Sequence, residues 1–133
     1  MIIDSKKLLI RLTFLIFFIL ALNILAHQFY WYSSLWWFDM PMHFMGGLWL
    51  GLAWLWLLAP QDISFKSILK IILLVLFIGV LWEVFEVIVD KLISHNRFNT
   101  LDTLSAIFFD LAGGTFAIFY YIKKIMFTEK SKL

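Results

Sequence analysis

The sequence predicts an all-α, polytopic membrane protein, a bundle of four transmembrane helices with both termini in the cytoplasm. Three observations carry that prediction. Of 133 residues, 63% are hydrophobic, against the ~45–50% of an ordinary soluble domain. A chain this short has too little interior to hide so many apolar side chains, so most must face lipid. Only 15% of residues are charged, and the charges gather in short stretches between long apolar runs. Four such runs recur, each near the ~20 residues a helix needs to cross a bilayer. The length fits one transmembrane domain over residues 1–133. The absence of cysteine excludes disulfides and thiol-based metal or redox chemistry. A net charge of +2 with no basic run gives nucleic acid nothing to bind.

The first span runs from about Leu8 to Ala26. Lys6, Lys7 and Arg11 precede it as in a secretory signal, but no small-x-small cleavage site stands before His27, so it is expected to remain as an anchor. The segment from His27 to Phe38 carries three Trp and two Tyr and no ionised side chain, as expected of amphipathic rings lying at the outer headgroup level. The second span, about Met42 to Ala59, follows Pro41, which suits a first helical turn because its missing N–H would be unpaired there anyway. The third and fourth spans run from about Ile71 to Val89 and from Leu104 to Ile122. Orientation follows from the cations: Lys6, Lys7, Arg11, Lys66, Lys70, Lys123, Lys124, Lys130 and Lys132 lie on the side of the termini, against Lys91 and Arg97 opposite. Short Lys/Arg-rich segments stay cytoplasmic.

Asp4, Asp62 and Glu129 fall in the inner tails or loop, which leaves Asp39, Glu83, Glu86, Asp90, Asp102 and Asp110 in the outer half. At ~1.5 Å per residue, Glu83 and Glu86 stand ~18 and ~22 Å above the inner boundary of the third span, and Asp110 ~21 Å, within a core ~30 Å thick. Glu83, Glu86 and Asp90 are spaced by three and four residues and share one helix face. Asp39 and His43 share a face if the second helix begins before Pro41. Facing lipid, Glu83, Glu86 and Asp110 would together cost about 8–10 kcal/mol, so they are expected to face inward, either around a ligand, proton or ion or as a structural hydrogen-bond cluster that includes Asn23. His27 and His95 have no partner at helical spacing and read as loop residues. Lys91 and Arg97 are candidate counter-charges to the acids or contacts for a lipid phosphate.

The expected site is therefore a polar pocket of Asp39, His43, Glu83, Glu86, Asp90, Asp102 and Asp110 that opens to the outer leaflet and takes a cation, a proton or a lipid headgroup. His43, Glu83, Glu86 and Asp110 are candidate ligands for a divalent ion such as Mg²⁺, Mn²⁺ or Zn²⁺. Neither the HExxH of zinc proteases nor a Gly-rich phosphate loop is present. Two further readings stand beside this one. One is a metal-dependent hydrolase or transferase acting on a lipid-linked phosphate. The other is a scaffold without a ligand, which forms homo-oligomers through Gly47-x-x-x-Gly51.

FDMPMHFMGG, LWEVFEVIVD and LDTLSAIFFDLAGG together resemble small bacterial inner-membrane proteins of the YjdF type and the related VanZ-like family, over about Asp39 to Gly114. The resemblance places a D-x-x-x-H-F motif on Asp39, His43 and Phe44, paired acids on Glu83 and Glu86, and a D-T…D-x-x-G motif on Asp102, Thr103, Asp110 and Gly113. It departs where relatives carry a further Asp and this chain has Ala106, and where VanZ-like members carry Gln at the position of Glu86. It implies a compact helical protein of the bacterial inner membrane and, for the VanZ-like branch, a link to teicoplanin resistance, but no known reaction.

Overall fold

A computed structural model describes residues 5–60, 63–94 and 98–126. His95, Arg97, Asp4, Asp62 and Glu129 lie outside the described residues. The chain forms helices α1 (Ser5–Gln28), α2 (Trp31–Ser34), α3 (Asp39–Leu58), α4 (Phe65–Val89) and α5 (Thr100–Tyr120), with π-helical turns at Asp90–Ser94 and Tyr121–Met126. α1, α3, α4 with its π turn, and α5 are long and apolar enough to cross a membrane. The protein is thus an all-helical, multi-pass membrane protein.

All four spans begin earlier than hydropathy alone places them. For α4 and α5 the cause is capping: Ser64 accepts a hydrogen bond from the Ser67 N–H (3.2 Å) and Asn99 from the Leu101 N–H (3.2 Å), so helix continues through polar residues that a hydropathy reading excludes. α3 starts at Asp39, two residues before Pro41, which puts Asp39 and His43 one turn apart on one face. At its other end, Ala59 adopts a left-handed conformation (φ 37°) and donates to the Leu55 carbonyl at 2.9 Å.

α3 and α5 run parallel and make the closest pairing in the molecule. Glycine permits it: a methyl group on Gly47 would overlap the Asp110 carbonyl, and one on Gly113 would overlap the Phe44 carbonyl. Lower down, Gly51 faces Gly114 and Ala117. The homo-oligomer contact expected at Gly47 and Gly51 is therefore corrected, because both are buried between two helices of the same chain. α4 crosses the other side of α5, with Val75 against Gly114 and Gly79 against Asp110. α1 rests on α3, where the Trp49 indole N–H donates to the Leu12 carbonyl at 3.0 Å.

These packings split the bundle into two halves. Toward the ends of α1, α3, α4 and α5 that carry most of the cations lies a dry core of Leu8, Leu12, Leu52, Leu55, Ile71, Val75, Ala117, Ile118 and Tyr121. In the other half the polar residues gather around His43. Most other large apolar side chains, among them Phe14, Phe17, Phe77, Phe85 and Phe108, point outward, as lipid contact requires. The connection from α1 to α3 is a knot of rings: Trp31, Tyr32 and Trp37 pack around buried Phe38, while Trp36 stays 81% exposed. Such a segment suits the membrane interface.

Candidate functional site

His43 is the centre of the polar half. It is only 7% exposed, on the face of α3 that looks toward α4 and α5. Its Nδ1 lies 3.2 Å from Asp110 Oδ1, and its Nε2 lies 3.3 Å from Asp39 Oδ2 and 3.6 Å from Glu83 Oε1. If Nδ1–H donates to Asp110, Nε2 faces two further carboxylates. A bare lone pair there would repel two ionised carboxylates, so a proton or a cation must lie between them: a second ring proton, the O–H of a protonated Asp39 or Glu83, or an external cation. Donor atoms of His43, Glu83 and Glu86 all lie within 4.8 Å of one another, a spacing that one ion can bridge.

Within this cluster, Glu83 Oε1 and Asp110 Oδ2 are buried without a hydrogen-bond partner among the described residues. Glu83 is 7% exposed and Asp110 5%, so water does little for either. The Asp110 oxygen fits only because residue 79 is glycine, where a Cβ would stand 2.6 Å from it.

A cavity of about 710 Å³ opens beside this cluster. Asp39, His43, Glu86 and Asp110 line its polar end, and among the described residues no Lys or Arg lines it. The rest of the wall is chiefly apolar, with Ile16, Ile19 and Leu20 of α1 facing Leu50 of α3 and Ile78 of α4. Aromatic rings from Tyr32, Trp49 and Trp82 complete it.

The structure thus brings together Asp39, His43, Glu83, Glu86 and Asp110 of the expected pocket. Asp90 and Asp102 are exposed and do not line the cavity. Asp90 stands one turn beyond Glu86 and Asp102 about two turns above Asp110, past the level where α3 begins, so no neighbouring helix covers them. The expected match in depth between Glu86 and Asp110 is also corrected. Asp110 faces Gly79, which lies ~10 Å below Glu86 along α4. The coincidence comes from measuring α4 up from Ile71 and α5 down from Leu104, whereas these helices begin at Phe65 and Thr100.

The residues that sequence reasoning missed come mostly from α1 and α2. His27 is no loop residue: it sits in the last turn of α1, lines the cavity and packs its ring 5.3 Å from that of Tyr32. Asn23 also lines the cavity, but its Oδ1 accepts from the Tyr32 hydroxyl at 2.8 Å rather than from the acids. Lys91, on the π turn after α4, is exposed and absent from the lining.

Burial, with the Asp39 and Glu86 carboxylates nearby, pushes the Tyr32 phenol up from 10.0 to about 12. The folded state thus keeps a proton that the unfolded chain releases. The resulting stabilisation is complete below pH 10 and is lost as pH rises toward 12. Ultraviolet titration of the folded protein is expected to show a phenolate step near pH 12 that vanishes in Tyr32→Phe; a Tyr32 step at the ordinary value would contradict this placement.

Among curated proteins and among solved structures, nothing matches this chain. Residues 6–125 match the family described as Predicted membrane protein (DUF2238). That match spans all four membrane-crossing helices and the His43 cluster, and the chain belongs to this family.

Proposed function

We propose that this protein binds a cationic group in the acidic pocket around His43, in the extracytoplasmic half of the bacterial inner membrane, with both termini in the cytoplasm and the chain acting as one domain. The observation that carries this reading is the imidazole held between carboxylates, with unpartnered buried oxygens on Glu83 and Asp110 and no Lys or Arg among the described residues of the cavity wall. With all four carboxylates ionised, one imidazole, even protonated, leaves the pocket short of positive charge. The resemblance to YjdF-type and VanZ-like proteins belongs to the same reading, because five of its positions, Asp39, His43, Glu83, Glu86 and Asp110, converge here.

The test is thermal unfolding of detergent-purified protein with added Mn²⁺, Zn²⁺ or methylammonium. At least one is expected to stabilise the wild type, by about 2.7 kcal/mol at a hundredfold excess over its Kd. Glu86→Gln is expected to lose the effect. If none of the three acts on the wild type, the reading fails.

A second reading is favoured by the 4.8 Å grouping of His43, Glu83 and Glu86: a divalent ion held there, with Asp110 orienting the imidazole, would activate water for attack on a lipid-linked phosphate. Elemental analysis showing one divalent ion per chain, lost in Glu83→Gln, would support it.

A further inference from the structure

We propose that the cationic group is the amine head of a membrane amphiphile whose hydrocarbon tail lies in the trough between α1 and α4. This rests on the cation reading above and names the ligand class. A bare ion leaves most of the cavity unexplained. The volume of about 710 Å³ falls in the ~300–1,000 Å³ range of organic ligand sites, whereas a single water molecule takes about 30 Å³.

The wall changes character along its length. Asp39, His43, Glu86 and Asp110 define the polar end. Ile16 and Leu50 both lie seven residues from polar lining residues of their own helices, Asn23 and His43. That spacing carries the apolar trough ~10 Å toward the bilayer centre. The trough has an entrance from lipid. α1 packs on α3, and no comparable contact joins α1 to α4 among the described residues, so the gap between them faces the acyl chains. An amphiphile reaching it sideways keeps its tail in apolar surroundings throughout.

The headgroup chemistry follows from what the polar end offers. Among the described residues, carboxylates line it without Lys or Arg, which disfavours a phosphate and favours an ammonium. Asp110 is a lining residue, and its Oδ2, buried and without a hydrogen-bond partner, retains the capacity to accept an N–H. The rings of Tyr32 and Trp82 share this wall, and aromatic faces beside carboxylates attract ammonium groups.

The experiment is native mass spectrometry and calorimetric titration of the purified full chain in a neutral detergent. The probes are dodecylammonium, dodecyl phosphate, methylammonium and Zn²⁺. Dodecylammonium is expected to bind at one per chain, dodecyl phosphate not at all, and methylammonium at least about tenfold more weakly for want of the tail. Glu86→Gln should weaken dodecylammonium about thirtyfold or more. Ile78→Trp, which fills the trough, should weaken dodecylammonium but not methylammonium, and this second variant leaves every carboxylate in place. If methylammonium or Zn²⁺ binds as tightly as dodecylammonium, the amphiphile proposal is overturned while the cation reading stands. If dodecyl phosphate binds as well as the amine, the headgroup assignment is overturned. If no probe binds, both readings fall together.

Discussion

Gly47→Ala is expected to destabilise the folded bundle by up to about 3 kcal/mol, whereas Gly46→Ala, one residue earlier, is expected to leave stability unchanged or raise it by up to about 1 kcal/mol. Intrinsic helix propensity favours alanine equally at both positions, so the difference comes from packing alone. At Gly47 the added methyl would overlap the Asp110 carbonyl and stand 2.7 Å from its carbon, and backbone cannot step aside as a side chain does. At Gly46 it would meet nothing within 4 Å. Prying α3 from α5 at Gly47 also moves His43 relative to Asp110, so the same substitution should weaken cation binding. Equilibrium unfolding in mixed micelles measures both variants, and equal stabilities would contradict the parallel α3–α5 contact.

His43→Leu is expected to cost about 3–5 kcal/mol, the usual penalty for stranding buried charge by removing its partner. The substitution keeps an apolar side chain of helix-forming type in α3, but Asp110 Oδ1 and Asp39 Oδ2 lose the nitrogens now at 3.2 and 3.3 Å. Adding Asp110→Asn to this variant should recover part of the loss, because a neutral amide in the same place no longer needs the imidazole. The same unfolding measurement gives the double-mutant cycle. Additive losses would mean that His43 and Asp110 do not interact.

Much of this arrangement is legible in the residues alone. Apolar runs and the distribution of lysine identify the four crossings, and the cost of exposing Glu83 and Asp110 to lipid already points them inward. The spacing of Asp39 and His43 anticipates a shared face, and the structure provides it by starting α3 before Pro41. Other features depend on how helices meet. Gly47 and Gly51 announce close packing, but only the register of α5 shows that the partner is Gly113, Gly114 and the Asp110 backbone. Asp90 and Asp102 continue the acidic pattern yet rise past the start of α3. The part played by α1 leaves almost no trace, because Ile16, Ile19 and Leu20 look like any lipid-facing run. Tyr32 sits in a segment whose composition speaks only of the interface. Its hydrogen bond to Asn23 at 2.8 Å closes the cavity from a direction that no helical periodicity encodes.

Solid-state NMR of protein in lipid bilayers, with labelled histidine nitrogen and labelled carboxyl carbon in a His27→Gln, His95→Gln background, tests the convergence of acids on His43 most directly. Dipolar couplings are predicted from one ring nitrogen to Asp110 and from the other to Asp39 and Glu83, with the second nitrogen alone shifting when a bound cation is added. A ring that couples to no carboxyl carbon, or a cation response confined to the nitrogen beside Asp110, would contradict the account.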